Sequence, residues 1–300
     1  MKRVGILLTS PLTGLEQSYV KPFVDAMTRL GWVQGREIEY VEAYPVAHIT
    51  DPAAMQIHAE TLVAKSPDVI WLISTASAKA ALAATQRRPI PIVGSAVSTA
   101  IDSKAHAAAH FTGIMNTGYE LGGDRFNYLR EVMPNLQRVG VLLDPGNAGC
   151  REELGLIQQV AASSKVQVIP VNMSRANDVD TSCAELRDNE AEAVLITHLP
   201  LFQNNRQRIL QHAEQQRIPA VGHRTFFVED GALMSYSSCL PDQMRQSADL
   251  VDSILRGANT STMSLKKPQT FELAINRETA ANLSITIPPA LLSRAYRVVG

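Results

Sequence analysis

Side chains suited to holding a small polar solute fall, in this sequence, where short apolar runs end. Thr9 and Ser10 follow "RVGILL", Thr75 ends "DVIWLIST" with Ser77 just beyond, and Ser95 closes "IPIVGS". In the second half Asp144 and then Asn147 follow "RVGVLL", Thr197 ends "EAVLIT" and His223 closes "IPAVGH". The hydroxyls of Ser10, Thr75, Ser77 and Thr197 stand beside predicted helix N-termini, where backbone N–H groups without helical partners favour an anion such as a carboxylate. Asp144 is suited to accept a hydrogen bond from an ammonium or hydroxyl group, and Asn147 to donate or accept one. Tyr236, in "ALMSYSS", offers a ring for stacking and a hydroxyl. Arg224, next to His223, carries a guanidinium that can grip a carboxylate bidentately.

The same residue types are the preferred N-caps of helices, so any one hydroxyl alone reads equally well as a cap. The set carries more weight, because its members come from matched positions in both halves. Trp71, in mid-strand, reads as core. "HAAAH", His106 to His110, has the i, i+4 spacing of zinc ligands but lacks the intervening Glu and a third ligand, so no metal is expected. There is no GxGxxG, Walker A or GxSxG pattern, so nothing marks a nucleotide cofactor or an acyl-enzyme nucleophile. The expectation is a binding protein without cofactors rather than an enzyme.

With 45% hydrophobic and 19% charged residues, the chain has the composition of an ordinary globular protein, and its 300 residues are enough for two domains. A net charge of -1 provides no broad field for a phosphate backbone or an anionic membrane, so nucleic acid is not an expected partner. No apolar stretch reaches the ~20 residues that span a bilayer. "MKRVGILLTS" passes straight into a strand pattern, so neither a membrane helix nor a signal peptide is expected in the sequence as written. Cys150, Cys183 and Cys239 are too few and too scattered for a disulfide scaffold and read as buried free thiols, with a Cys150–Cys183 bridge left open for an exported protein.

What must position the polar ends is a repeat. "RVGILLTS" at Arg3 returns as "RVGVLLDP" at Arg138, "DVIWLIST" is answered by "EAVLITH", and "IPIVGS" by "IPAVGH". Helical stretches fall between them: Gln17 to Leu30, Pro52 to Lys65 and Ala76 to Thr85 in the first half, then Glu152 to Ser163, Asp178 to Arg187 and Asn205 to Gln216 in the second. Alternation of buried strands with helices calls for parallel sheets covered on both faces. The expected fold class is α/β, with two doubly wound Rossmann-like lobes and a ligand cleft beyond the carboxyl ends of the strands.

From Arg3 onward the chain resembles the substrate-binding proteins of ABC transporters, of the tryptophan or tyrosine transport type. The likeness is carried by "LGWVQGREIEY", "LVAKSPDVIWLISTASAKAALAAT", "FTGIMN", "GGDRFNYLREVMPNLQRVGVLLDP", "GALMSYS" and "FELAINRETAANLSITIPPALLSRA". It implies a type I periplasmic-binding-protein fold whose lobes are joined by a hinge, with residues 1–115 and 238–265 in one lobe and 116–237 and 266–300 in the other. It further implies a periplasmic or extracytoplasmic monomer that closes around an amino acid or small carboxylate and delivers it to a permease. The candidate contacts are Ser10, Thr75, Ser77 and Ser95 from the first lobe and Asp144, Asn147, Thr197, His223 and Tyr236 from the second. The sequence departs from the family at "GSAVSTAIDSKAHAAAHFTG" and at "SYSSCL", which puts the ligand's identity in question. A sensor for a signalling partner is the alternative, although no helix-turn-helix precedes Arg3. An Asp/Glu-type racemase would need a cysteine matching Cys150 in the first half, and none stands near Leu15. In this reading Asp242 to Arg256 returns to the first lobe, "FELAIN" is a third connection across the hinge, and Pro288 and Pro289 start a final helix, Ala290 to Arg297.

Overall fold

Apolar runs bounded by polar residues become parallel strands in both halves of the chain. The computed structural model describes residues 1–11, 15–43, 45, 49, 51–98 and 110–300. They divide into two units, Met1–Thr117 with Cys239–Thr270, and Gly118–Ser238 with Phe271–Gly300. In the first unit β1 (Lys2–Leu7), β2 (Ile38–Ala43), β3 (Val69–Ile73), β4 (Ile92–Val97) and β5 (Phe111–Met115) form a parallel sheet in the order β2-β1-β3-β4-β5. Helices α1 (Leu15–Arg29), α2 (Pro52–Ala64) and α3 (Thr75–Ala84) connect these strands. Successive side chains of β1 and β3 go to opposite faces. Val4, Ile6 and Trp71 pack with Phe23 and Met27, while Leu7, Ile70 and Leu72 pack with Met55, Leu62 and Ala78.

The second unit repeats this order and extends it. Its strands are β6 (Arg138–Leu143), β7 (Gln167–Asn172), β8 (Ala193–Ile196), β9 (Ala220–Gly222), β10 (Met234–Ser238), β11 (Phe271–Asn276) and β12 (Arg297–Val299), in the order β12-β11-β10-β9-β8-β6-β7. Between them run α4 (Gly122–Val132), α5 (Ala148–Ser163), α6 (Val179–Asp188), α7 (Pro200–Asn204), α8 (Arg206–Gln215) and α9 (Thr225–Glu229). The chain then passes back to the first unit through α10 (Leu240–Leu255), whose Met244, Ala248 and Val251 join the core around Phe23 and Trp71. Finally α11 (Arg277–Asn282) and α12 (Pro289–Leu292) accompany the last two strands.

Two expectations about the tail are corrected. "FELAIN" is not a connection but β11, paired antiparallel with β10 inside the second sheet, and the chain enters this unit just before it, between Thr270 and Phe271. The closing helix stops at Leu292, and Arg297–Val299 instead becomes β12, parallel to β11 with Ala274 opposite Arg297. Pro288 does start a helix as expected, but the valines that follow suit a strand better than a helix. The sequence reading also passed over β2 and β7, which lie on the outer edge of each sheet.

The "RVG" repeat has a packing cause. Gly5 and Gly140 hold equivalent places on β1 and β6, and each takes a leucine from the helix packed over it. A Cβ on Gly5 would meet Leu62 Cδ2 at 3.2 Å, and one on Gly140 would meet Leu186 Cδ2 at 2.1 Å. A bare backbone lets α2 and α6 settle onto the sheets.

In the first unit a chain of hydroxyls crosses the core. Trp71 Nε1 donates to Ser95 Oγ (2.9 Å), which lies 2.6 Å from Ser247 Oγ, and Ser247 donates to the Gln243 carbonyl (2.7 Å). Because the Ser247 proton is thereby used, Ser95 is the donor in the middle bond. The chain fastens α10 to β3 and β4, and Trp71 also stacks on Phe23 with centroids 3.8 Å apart.

The second unit is organised around a buried ion pair. Arg125 on α4 and Glu153 on α5 are both 1% exposed, and the guanidinium NH1 donates to Glu153 Oε1. Its NH2 donates to the Gly118 carbonyl and its Nε to the Tyr236 carbonyl at 3.0 Å. Glu153 Oε2 accepts from the backbone N–H of His198, just past β8, at 2.8 Å.

Two outcomes follow for stability, both measured by urea denaturation. Gly140→Ala should cost about 1–3 kcal/mol through overpacking, Gly5→Ala less, and Leu186→Ala should recover part of the Gly140→Ala loss. Equal losses at the two glycines would contradict this account of the repeat. Arg125→Met alone should cost about 3–5 kcal/mol by stranding Glu153, whereas Arg125→Met with Glu153→Leu should lie much closer to the parent protein. If the double variant is the less stable of the two, the stranded carboxylate is not the cause.

Candidate ligand-binding site

In a parallel sheet the strand ends and the helix starts that follow them gather along one edge. In the first unit this edge is built from β3, β4 and α3. Ser74 follows β3 with φ of +88°, a region that costs a residue with a Cβ on the order of 1–3 kcal/mol. Its N–H donates to the Ser95 carbonyl at 3.1 Å and its Oγ caps α3 by accepting from Ser77 N–H at 3.3 Å. Thr75 Oγ1 accepts from Ser98 N–H at 2.9 Å, which ties the start of α3 to the segment after β4. Ala96 is also at positive φ, +53°, where the β4–β5 register shifts. Two strained residues thus sit on one sheet edge, between the predicted Thr75, Ser77 and Ser95. Sequence reading missed Ser74 because a serine before a helix announces a cap and says nothing of its φ.

The predicted residues differ in what their polar atoms are doing. Ser10 follows β1, half-buried and hydrogen-bonded or otherwise engaged. Ser95 is fully buried and committed to the Trp71–Ser247 chain. Thr197 is fully buried as well, donating to the Leu142 carbonyl at 2.8 Å. Asp144 braces its own loop, accepting from Gly146 N–H at 3.0 Å and Ser174 Oγ at 2.9 Å, and Asn147 caps α5 by accepting from Cys150 N–H at 3.1 Å. Tyr236 packs its ring against Tyr128 and Phe271, and burial pushes its hydroxyl up to about 12.

At the ends of β8 and β9 the structure assembles a cluster that spacing alone did not reveal. His198 and His223 meet edge to face with centroids 4.8 Å apart, and His223 is 1% exposed, its Nδ1 without a hydrogen-bond partner among the described residues. Arg224, also buried, donates NH1 to the Ser238 carbonyl at 3.1 Å and NH2 to His198 Nε2 at 3.3 Å. A guanidinium only donates, so His198 Nε2 is an acceptor and the ring is neutral with its proton on Nδ1. Burial, then the Arg224 and Arg125 charges, hold His198 well below the usual histidine range. Burial first, then His198 and the two arginines, do the same to His223. Burial pushes the Glu153 carboxyl up to about 7 against the pull of Arg125. The His198 ring also lies where a Cβ on Gly118 would be, 2.4 Å from His198 Cδ2. The arrangement is an anion-tolerant edge with neutral imidazoles, two guanidinia and one acid. His223 was predicted, but His198, Arg125 and Glu153 were not, because partners scattered across α4, α5 and β8 have no common spacing.

Other features lie elsewhere. A cavity of about 690 Å³ in the second unit, lined by residues such as Glu214, Arg217, Asn276 and Glu278, opens near the start of β9 and the end of β11, away from these strand ends, and contains none of the predicted contacts. His106 lies outside the described residues, and His110 Nε2 is 3.0 Å from Thr85 Oγ1. Among the described residues no group of three or more His, Cys, Asp or Glu is placed to hold a metal, and no helix is long and apolar enough to cross a membrane. The three cysteines are buried, and none is in a disulfide.

Comparison with known proteins agrees with this architecture. The chain is 21% identical over 287 residues to a tyrosine-binding protein of Clostridioides difficile (strain R20291), covering 95% of this chain and 81% of the relative. A conserved domain protein from Vibrio cholerae superposes with a TM-score of 0.82 at 23% identity, covering 99% of both chains. An ABC domain from Streptococcus pneumonia in complex with L-Trp superposes with a TM-score of 0.80 at 17% identity, again over 99% of both. The fold is that of type I periplasmic binding proteins. The model of the family of ABC transporter substrate binding proteins matches residues 16–299, and the chain belongs to that family.

Proposed function

We propose that this chain is the extracytoplasmic receptor of an ABC transporter, that it binds an amino acid with groups from both of its units, and that it delivers that ligand to a permease. The observation that carries the reading is the matched pair of sheets, each presenting polar side chains and a helix start at the carboxyl ends of equivalent strands. One related protein is named for tyrosine and another is seen with L-Trp, which makes an aromatic amino acid the first ligand to try.

The proposed division of labour follows the bonding. Ser10 and Thr75 contribute hydroxyls and the start of α3 for the ligand carboxylate, and Asp144, Asn147, His223 and Tyr236 contribute from the second unit. Ser95 and Thr197, whose hydroxyls hold neighbouring strands, act by fixing the edge, as does Ser77, fully buried with its Oγ 3.3 Å from Ser74 Oγ. A ligand that contacts both units stabilises the state in which both contacts are made, which is the physical basis of closure. The family is one of solute-binding receptors rather than enzymes, and nothing in the cluster requires a reacting group.

Protein freed of carried-over ligand by unfolding and refolding should be stabilised by L-tryptophan or L-tyrosine in a thermal-shift screen of amino acids and small organic acids. At ~100 times the dissociation constant the gain is about 2.7 kcal/mol, enough to move the midpoint by several degrees. Paired alanine changes at Thr75 and His223 should weaken binding in calorimetry. Absence of a shift with every amino acid would reject the amino-acid reading.

A further inference from the structure

Carboxylates removed from water are ordinarily paired with a cation. Glu153 obeys this through Arg125, but Glu272 does not. Glu272 is 7% exposed, and among the described residues no Lys, Arg or His nitrogen lies within 4.0 Å of its carboxylate. Its Oε1 accepts from the hydroxyls of Thr225 at 2.8 Å and Ser237 at 3.3 Å. Among the described residues its Oε2 accepts no hydrogen bond, and this oxygen is not sealed from solvent, so it is open to an incoming donor.

Its place in the sheet is also specific. Glu272 pairs with Ser237, and β10 pairs with β9 through Met234–Val221 and Ser235–Gly222. Continuing that register sets Glu272 level with the segment just after β9, where His223, Arg224 and Thr225 stand. Leu273 and Ile275 fill the core beneath α4, so Glu272 projects from the other face, toward Thr225 at the start of α9. The charge therefore sits at the carboxyl edge and belongs to neither core.

We propose that Glu272 receives the ammonium group of the ligand, an assignment that rests on the amino-acid reading above. An ammonium brings three donors and one positive charge, which is what Oε2 and the unpaired carboxylate lack. Thr225 and Ser237 hold the carboxylate in place by donating to Oε1. A solute of the same shape without the amine leaves the charge unanswered, so the site discriminates strongly against it.

The test is calorimetric titration with L-tryptophan and L-tyrosine against their des-amino analogues, 3-(indol-3-yl)propionate and 3-(4-hydroxyphenyl)propionate. The parent protein should prefer the amino acids, and Glu272→Gln should lose about 10- to 100-fold in affinity for them while the analogues change little, so that the preference collapses. A purely structural Glu272 would lower both ligand types equally, and that result, or an undiminished preference, overturns the proposal. If Glu272→Gln fails to fold, Glu272→Asp keeps the charge but shortens its reach and must still narrow the amine preference. Failure of the parent protein to bind any of the four solutes would reject the amino-acid reading itself, whereas a parent that binds with a preference surviving Glu272→Gln rejects this assignment alone.

Discussion

A guanidinium taken out of water has to be given acceptors for its donors, and where it finds them fixes the elements that supply them. Arg125 takes a carboxylate from α5, the carbonyl of Gly118 where the chain enters the second unit, and the carbonyl of Tyr236 on β10. Glu153 in turn holds the N–H of His198 at the end of β8. The pair gains little over an apolar substitute in net stability, since desolvating two charges offsets most of their attraction. What it contributes is exclusivity: α4, α5, β8 and β10 have one arrangement in which neither charge is stranded. His198 and, through it, Arg224 and the Ser238 carbonyl inherit their positions from that arrangement.

The first unit solves the same problem of fixing a sheet edge with neutral groups. Its Trp71–Ser95–Ser247–Gln243 chain joins β3, β4 and α10 without a charge, and each hydroxyl both accepts and donates, so polarity enters the core fully satisfied. The two units thus share strand order and the glycine–leucine fit of their first strands but differ in the polar device that locks them. Divergence in the lock fits a fold in which the sheet is set by apolar packing.

Legibility in the sequence tracks how local the cause is. The six repeated strands could be read because a parallel strand buried on both faces is a continuous apolar run. β2 and β7 were passed over because edge strands such as "IEYVEA" and "QVIPVN" mix polar and apolar residues. β12 owes its state to pairing with β11, a contact that no window of three residues contains. At the site, His223 and Thr75 were found as strand ends, yet whether such a residue faces solute or core was not readable, as Ser95 and Thr197 show by turning inward. Arg125 and Glu153 were invisible for a related reason, since "DRFNYLRE" and "CREELG" carry the charges expected of solvated helix faces.

Glu153 and Glu272 set out the limits of reading function from burial. Both are acids on the same unit, nearly removed from solvent, and both accept hydrogen bonds from neighbours. One is paired with an internal cation and serves the fold. For the other the fold supplies hydroxyls, which orient a carboxylate without neutralising it. A core that needed only to be stable would have replaced such a group with a methionine or a glutamine, which fill a similar volume without carrying a charge. Keeping an acid at the edge of a sheet, with one oxygen tied and the other open, makes sense where the missing charge arrives from outside, because the same deficit that weakens the empty protein discriminates between solutes that bring a cation and those that do not.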